Sequence, residues 1–229
     1  MRDSMIDTVI VSGGMIQKDF ALDFIKKIEK EKKGEKLLLL AADRGLDFFR
    51  ETGLTPDIAD GDFDSLSKEG KAYLESLSGT EIVKLNPEKD DTDTQSTLDL
   101  AIEKGAKNIL ILGATGGRLD HFIGNMGLLQ YGRKKGVHVI LADAQNYICF
   151  VENGHIIRKD TQFGKYVSFF AAGETVEGLT LKGFKYPLDH YCLTPDNCGF
   201  TVSNEIQEKQ AQVFYEKGCL LMIMSRDLK

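Results

Sequence analysis

Four aspartates in two closely spaced pairs are the clearest chemical feature of this chain. Asp62 and Asp64 belong to the segment GDFDS, and Asp91 and Asp93 belong to the segment DDTDT. In extended backbone, residues two apart project to the same side, so each pair would hold two carboxylates together. Such carboxylates repel one another unless a cation or protons neutralise them. Hard oxygen ligands suit Mg²⁺, which bridges to substrate phosphates, so the pairs predict a magnesium–nucleotide site.

A structural interpretation of each pair stands beside this chemical one. Aspartates next to Gly, Ser and Thr also cap helices and form turns. For either pair alone, that interpretation is about as good as metal binding. The presence of two pairs, each after an apolar segment, favours metal binding.

The segment 113–121, with the sequence GATGGRLDH, is the second chemical signal. It is a glycine-rich turn between an apolar run and a helical pattern, where free backbone N–H groups and the helix dipole attract anions. It is neither a Walker A loop nor a G-x-G-x-x-G motif, and glycine-rich turns are common. Arg118 strengthens the case for phosphate binding, because a guanidinium matches phosphate oxygens in a bidentate way.

Alternating apolar runs and helical patterns predict the elements that position these side chains. We expect strands at 8–11, 37–40, 56–59, 80–85, 108–112 and 137–141, and helices at 18–33, 46–51, 67–77, 94–104 and 119–134. Continuous apolar strands separated by helices predict an open, mostly parallel sheet covered on both faces. Ligands of such sheets lie beyond the carboxyl ends of the strands. Asp43, the aspartate pairs and the segment 113–120 all follow predicted strands, so we expect them to converge on one edge.

From about Tyr147 the pattern changes to short strands separated by Gly, Asn or Asp turns. We expect these strands at 148–151, 156–157, 165–171, 175–181, 200–203, 212–215 and 219–224. That rhythm is typical of a small antiparallel sandwich. The sequence therefore predicts an α/β domain over residues 1–144, followed by an antiparallel β-sandwich domain over residues 145–229.

Composition limits the classes of partner. The net charge of −6 argues against a non-specific nucleic-acid binder, which needs a basic face. It permits an anionic small substrate, because a bound Mg²⁺ ion supplies positive charge. The four cysteines are scattered without zinc-ligand spacing, which indicates reduced thiols. No apolar run is long enough for a membrane span, and the first residues lack a signal-peptide core, so we expect a cytoplasmic protein without nucleic-acid or membrane partners.

Five segments taken together resemble the thiamin pyrophosphokinase family. They are 42–43 (AD), 61–65 (GDFDS), 90–94 (DDTDT), 113–121 (GATGGRLDH) and 199–205 (GFTVSNE), in the order and with the separations of that family. The resemblance spans nearly the whole chain. It implies an α/β nucleotide domain followed by a β-sandwich, in a homodimer that binds thiamin where the subunits meet. It also implies transfer of pyrophosphate from ATP to the thiamin hydroxyl, with release of AMP.

The resemblance also implies roles by position. The residues similar to catalytic ones are Asp62, Asp64, Asp93, Arg118 and Asp120, and the Mg²⁺ ligands would be Asp62, Asp64 and Asp93, joined by Asp43. The ATP contacts would be Ser12, Gly13, Gly14, Asp43, Gln95, Thr115, Gly116, Gly117, Arg118 and His121. Thiamin would meet Arg118, Asp120, Ser203 and Asn204.

Three points stay open at this level. Arg44 stands where the family often has Gly, as either a phosphate contact or, slightly favoured, a salt-bridged helix start. The chain has no Trp for stacking on thiamin, which leaves Tyr186, Tyr191 and Phe200 as candidates. The proton acceptor would be Asp120 or a carboxylate of the metal set, since a His one turn into a helix, such as His121, is more often structural.

Two other functions compete with pyrophosphate transfer. A Mg²⁺-dependent phosphohydrolase would use the same carboxylates on water, and thiamin-dependent AMP formation separates it from a kinase. A non-catalytic nucleotide or thiamin sensor would bind ligands without turnover. Clustered charge is costly and of less use to a sensor.

Overall fold

A computed structural model describes residues 6–85 and 92–227 of the 229-residue chain. The chain forms two compact units, of which the first ends at Ala144 and the second begins at Gln145. Asp91, the first member of the second aspartate pair, lies outside the described residues. In the described ranges, every helix is too short or too polar to cross a membrane.

The first unit alternates strands and helices along a parallel sheet. In chain order, its described elements are β1 (Thr8–Val11), α1 (Lys18–Glu31), β2 (Leu38–Ala42), a 3-10 turn (Asp43–Gly45), α2 (Leu46–Thr52), β3 (Ile58–Gly61), α3 (Lys68–Ser76), β4 (Glu81–Lys84), α4 (Asp93–Glu103), β5 (Asn108–Leu112), α5 (Leu119–Lys134) and β6 (His138–Ala142). Within this unit the strand order is β6-β5-β1-β2-β3-β4, and all paired strands are parallel.

The central strands are buried on both faces, which explains their continuous apolar sequences. Val9, Ile10 and Val11 of β1 are fully buried, as are most residues of β5. On α1, residues at helical spacing, from Ala21 to Ile28, face the core. β4, by contrast, lies at the end of the described strand order and is largely exposed and charged, which discourages pairing with another chain.

The sheet has a topological switch point at β1, which lies between β2 and β5. The chain builds outwards from β1 to β4 on one side and then returns to add β5 and β6 on the other side. The connections after β1 and β5 therefore leave the sheet in opposite directions, which opens a crevice at their carboxyl ends. Residues 12–14 follow β1 and residues 113–118 follow β5, so both loops lie at this edge.

The second unit contains two antiparallel sheets. Its described strands are β7 (Asn146–Val151), β8 (His155–Arg158), β9 (Tyr166–Ala171), β10 (Val176–Lys182), β11 (Leu188–Leu193), β12 (Asn204–Glu205), β13 (Gln210–Phe214) and β14 (Leu220–Ser225). One sheet has the order β12-β9-β14-β7 and the other β11-β10-β13-β8. The Phe169 and Phe184 rings lie 5.7 Å apart, and the Tyr215 hydroxyl donates to the Val151 carbonyl at 2.9 Å, so side chains join the two layers.

The predicted fold class, a mostly parallel α/β sheet followed by antiparallel β structure, is confirmed. Two elements of the second unit were predicted wrongly. The strand expected at 200–203 is a 3-10 turn, Gly199–Thr201, because the Thr201 hydroxyl bonds the carbonyls of Phe169 and Cys198 and holds the backbone in a turn. β11 was not predicted, because its residues are mostly exposed and show little apolar alternation.

Candidate active site

Close contacts of three glycines with backbone carbonyls bring the loops after β1, β2 and β5 together. A Cβ atom on Gly113 would lie 2.5 Å from the Ser12 carbonyl oxygen, and a Cβ atom on Gly14 would collide with the Gly113 carbonyl. A side chain at Gly45 would likewise collide with the Val11 carbonyl. Because no other residue fits, glycine at these three positions is a condition for the crevice to form.

Two buried hydrogen bonds attach the start of α4 to the same edge. The hydroxyls of Ser12 and Thr94 are 2.8 Å apart, and the Thr97 hydroxyl donates to the Asp60 carboxylate at 2.8 Å. Thr92 caps the helix by accepting from the Gln95 N–H at 3.3 Å. These contacts hold the first turn of α4, which carries Asp93, beside the ends of β1 and β3.

Four aspartates meet where β2 and β3 end and α4 begins. The pKa of Asp64 is raised, first by its hydrogen bond with the Asp62 carboxyl and then by the negative charge of Asp62. The charges of Asp43 and Asp93 add to this rise. The structure therefore brings Asp43, Asp62, Asp64 and Asp93 within electrostatic range of one another, as their positions after predicted strands led us to expect.

The backbone that presents Asp62 and Asp64 is a turn, which corrects the extended geometry assumed from their spacing. The Asp64 N–H donates to Asp62 Oδ1 at 3.0 Å, and Phe63 between them is left-handed, with φ of +60°. Asp43 is also left-handed, with φ of +44°. Left-handed residues other than glycine are uncommon and cost free energy, and they cluster at functional sites.

Asp43 carries an unsatisfied buried oxygen. Its Oδ2 atom accepts from the Ser65 hydroxyl at 2.6 Å, whereas its Oδ1 atom is buried and accepts no hydrogen bond from any described residue. Burying a carboxylate oxygen without a donor is costly. Across residues 6–85 and 92–227, no three His, Cys, Asp or Glu side chains are already grouped as a metal site. The aspartates thus form a cluster of negative charge with spare ligand capacity.

The start of the glycine-rich loop after β5 is held by two hydrogen bonds. The Thr115 hydroxyl donates to Asp143 at 2.5 Å, and Asn125 of α5 donates to the Ala114 carbonyl at 2.9 Å. Sequence reasoning did not single out Asp143. Its position directly after the last predicted strand of the first unit was the available signal, because every other aspartate of the edge has such a position.

Arg118 and Asp120 bind each other at the start of α5. The Arg118 guanidinium donates to both Asp120 oxygens, at 3.1 and 2.5 Å, and the side chains are 73% and 63% exposed. This hydrogen-bonded partner lowers the pKa of Asp120 to about 2, with help from the His121 N–H, and raises the pKa of Arg118. With so low a pKa, Asp120 is a poor proton acceptor while it is paired.

Arg44 differs from Arg118 in having no side-chain partner within the described part of the chain. Its side chain is exposed, and it makes no hydrogen bond or ion pair with residues in the described ranges. The ion pair that the sequence slightly favoured for Arg44 is therefore not found there. A Cβ atom on Gly13 would lie 2.9 Å from the Arg44 Cβ atom, so the base of the arginine side chain packs against the loop after β1.

In the second unit, Asn204 is enclosed and holds Tyr186. Asn204 is fully buried, and its Oδ1 atom accepts from the N–H groups of Tyr186 at 3.0 Å and of Glu205 at 2.9 Å. Its Nδ2 atom donates to the Tyr186 carbonyl at 2.7 Å. The neighbouring Ser203 is exposed and left-handed, with φ of +58°, and its N–H donates to Ser168 Oγ at 2.9 Å. The Asn204 amide is thus used within the fold, and only Ser203 presents a side chain to solvent.

The three candidate stacking aromatics have different surroundings. Tyr186 is 54% exposed and Phe200 is 68% exposed. Tyr191 packs edge-on against Phe200, with ring centroids 6.0 Å apart, and its hydroxyl accepts from Asn197 at 2.8 Å. Of the three, Tyr186 is the exposed aromatic whose backbone N–H and carbonyl are both held by the buried Asn204 side chain.

Family models match most of the chain in two segments. The model described as "Thiamin pyrophosphokinase, catalytic domain" matches residues 30–141. The model described as "Thiamin pyrophosphokinase, vitamin B1 binding domain" matches residues 154–220. The two matches fall on the α/β unit and the antiparallel unit, respectively.

Individual relatives are similar to this chain in sequence and in fold. A thiamine pyrophosphokinase of Bacillus subtilis is 36% identical over 193 residues, which cover 84% of this chain and 89% of that protein. The crystal structure of a thiamine pyrophosphokinase from Bacillus subtilis has a TM-score of 0.83, with 34% identity and coverage of 96% of this chain and 99% of that chain. The thiamin pyrophosphokinase of Geobacillus thermodenitrificans has a TM-score of 0.79, with 32% identity and coverage of 96% and 97%.

Proposed function

The chain belongs to the thiamin pyrophosphokinase family of diphosphotransferases, and we propose that it moves pyrophosphate from ATP to thiamin at the carboxyl edge of its parallel sheet. The observation that carries this proposal is that Asp64 feels the charges of Asp62, Asp43 and Asp93, which come from three separate segments of the chain at the carboxyl edge of the sheet. The thiamin hydroxyl attacks the β-phosphorus of ATP, and AMP leaves.

The aspartate cluster fits a hard divalent cation. All of its donors are oxygens, Asp43 Oδ1 is buried without a described hydrogen-bond donor, and mutual repulsion raises the pKa of Asp64. The residues that would hold Mg²⁺ are Asp43, Asp62, Asp64 and Asp93. A bound ion supplies the positive charge that neutralises these carboxylates and polarises phosphate oxygens.

The crevice between β1 and β5 would bind the nucleotide. Residues 12–14 and 115–117 are rich in glycine, so backbone N–H groups can approach phosphates without obstruction by side chains. Gln95 and His121 stand in the first turns of α4 and α5, where the helix dipole favours anions. Asp43 borders the same crevice through its left-handed turn.

Arg118 would stabilise the charge that develops as pyrophosphate moves. Preorganised donors of this kind typically contribute about 100- to 1000-fold to turnover. The Arg118 guanidinium must leave Asp120, or share it, to reach a phosphate. Release of this pair is also the condition for Asp120 to accept the hydroxyl proton of thiamin, because the pairing holds its pKa near 2.

Thiamin would be recognised by Arg118, Asp120 and the segment that contains Ser203 and Asn204. Ser203 is exposed and free to contact a ligand with its hydroxyl. Asn204 is buried, so its contribution is to fix Tyr186 rather than to touch thiamin.

We propose a homodimer from the family resemblance and a cytoplasmic location from the sequence. Exposed apolar residues on α5 support an interface on this unit. Leu119 is 74% exposed and Ile123 is 69% exposed, and their i, i+4 spacing puts them on one face of the helix.

The test is to mix the purified protein with MgATP and thiamin and to measure thiamin pyrophosphate and AMP. Equal amounts of both products, formed only when thiamin is present, support the proposal. AMP or phosphate release without thiamin would identify a phosphohydrolase. Saturable binding of ATP or thiamin without any product would identify a sensor.

A further inference from the structure

We propose that Arg44 binds the phosphate groups of the nucleotide substrate. The inference deepens the proposed function and rests on it, because it adds a second phosphate-binding arginine, after β2, to Arg118 at the start of α5.

The location of Arg44 follows from two close backbone contacts. Arg44 is the middle residue of the 3-10 turn Asp43–Gly45, and Gly45 lies against the Val11 carbonyl at the end of β1. Its Cβ atom occupies the space that a side chain at Gly13 would need. Arg44 therefore packs against the glycine-rich loop after β1 through its Cβ atom. The geometry leaves its long side chain within reach of an anion bound at that loop.

The charge of Arg44 is not used inside the described part of the protein. In residues 6–85 and 92–227, no carboxylate pairs with its guanidinium. The adjacent Asp43 directs one oxygen to Ser65 and buries the other, so it does not neutralise Arg44 either. An exposed guanidinium beside a glycine-rich loop is suited to bidentate binding of phosphate oxygens.

A comparison with Arg118 indicates why the Arg44 guanidinium is more available to a phosphate. A phosphate that binds Arg118 competes with Asp120 for two of its hydrogen bonds, whereas Arg44 has no side-chain partner among residues 6–85 and 92–227 for a phosphate to displace. Arg44 also adds positive charge directly after Asp43 in the chain, and Asp43 is one of the aspartates whose negative charge would otherwise repel an incoming triphosphate.

The test is calorimetric titration of ATP, AMP and adenosine, in buffer with MgCl₂, into the wild-type chain and the variants R44A, R44K and R50A. We expect ATP to bind R44A about 10- to 100-fold more weakly, because charge-assisted hydrogen bonds are lost. R44K should recover part of this loss, since lysine keeps the charge but not the planar fork. Adenosine, which has no phosphate, should bind all four proteins equally.

R50A is the matched control. Arg50 lies on α2, six residues further along, and its guanidinium already contacts Asp47 and Glu51, so its removal changes the net charge equally without affecting ATP. The AMP titration locates the contact: a loss for AMP as large as that for ATP assigns Arg44 to the α-phosphate, and a loss for ATP alone assigns it to the outer phosphates.

Three results would overturn the inference: unchanged ATP affinity in R44A, an equal loss for adenosine and ATP, or an equal loss in R50A. Thermal melting checks that each variant folds. If R44A does not fold, R44K is compared with the uncharged variant R44Q. Wild-type ATP affinity in both of them would overturn the inference. Binding is measured without thiamin, so the result is independent of turnover. A wild-type chain that binds ATP through Arg44 but makes no thiamin pyrophosphate would reject the proposed function alone.

Discussion

The aspartate cluster and the Arg118–Asp120 pair lie in the same unit but manage charge in opposite ways. In the cluster, like charges face one another, and the pKa of Asp64 rises because its neighbours are negative. In the pair, opposite charges are bonded at two points, and the pKa of Asp120 falls to about 2. The pair is satisfied without a ligand, whereas the cluster is not. This difference indicates that charges left without an opposite partner, rather than the number of charged residues, mark the ligand site.

The strongest way to break this comparison is Asp64→Asn. We expect formation of thiamin pyrophosphate to fall by about 1000-fold or more, because the cluster loses a charge that the substrate complex requires. Melting temperature should stay the same or rise, since one repulsive carboxylate is gone. AMP release and thermal melting are measured on the same preparation, and a fully active variant would refute the role of the cluster.

Arg118→Ala tests the other side of the comparison, the Arg118–Asp120 ion pair. We expect turnover to fall by about 100- to 1000-fold, as for loss of one electrostatic donor. The pKa of Asp120 should rise from about 2 towards its ordinary value, because its hydrogen-bonded cation is removed. NMR titration of the Asp120 carboxyl measures this rise. An unchanged pKa would mean that the pair does not persist in solution.

Asn204→Ala extends the comparison to a fully bonded polar group in the second unit. We expect a loss of about 1 to 3 kcal/mol in unfolding free energy, because the N–H and carbonyl of Tyr186 lose their partner. The KM for thiamin should rise more than the KM for ATP, since Tyr186 is no longer fixed.

Ser203→Ala is its control. Ser203 is exposed, so its loss should leave stability nearly unchanged while still raising the KM for thiamin. Equal effects of either variant on both KM values would contradict the assignment of this segment to thiamin.

The smallest expected effect is the response of stability to Mg²⁺ in the absence of nucleotide. A carboxylate with a raised pKa in the folded protein weakens folding as pH rises above its unfolded value, and a bound cation removes that repulsion. At ten times its Kd, one Mg²⁺ ion should add about 1.4 kcal/mol, which corresponds to roughly 3 to 6 °C in melting temperature. EDTA should reverse the shift, and Asp64→Asn should lack it. A shift of equal size in that variant would place the cation elsewhere.

The convergence of Asp43, Asp62 and Asp64 was predictable because carboxyl ends of parallel strands always share one edge. Their detailed geometry was not, since the left-handed turn at Phe63 depends on a hydrogen bond between Asp62 and the backbone. In the same way, the burial of Asn204 follows from its contact with Tyr186, 18 residues earlier in the chain. Pattern and spacing indicate where a strand ends, but they do not identify which polar partners meet across loops.

The hydrogen bond between Thr115 and Asp143 fixes the direction in which the Thr115 hydroxyl donates. The hydroxyl gives its only proton to the carboxylate, so its oxygen offers lone pairs alone to a substrate. A phosphate oxygen, which has no proton to share, gains nothing from this hydroxyl, so a phosphate at residues 115–117 would depend on backbone N–H groups. A ligand hydroxyl or amine is the kind of donor from which this oxygen can accept a hydrogen bond.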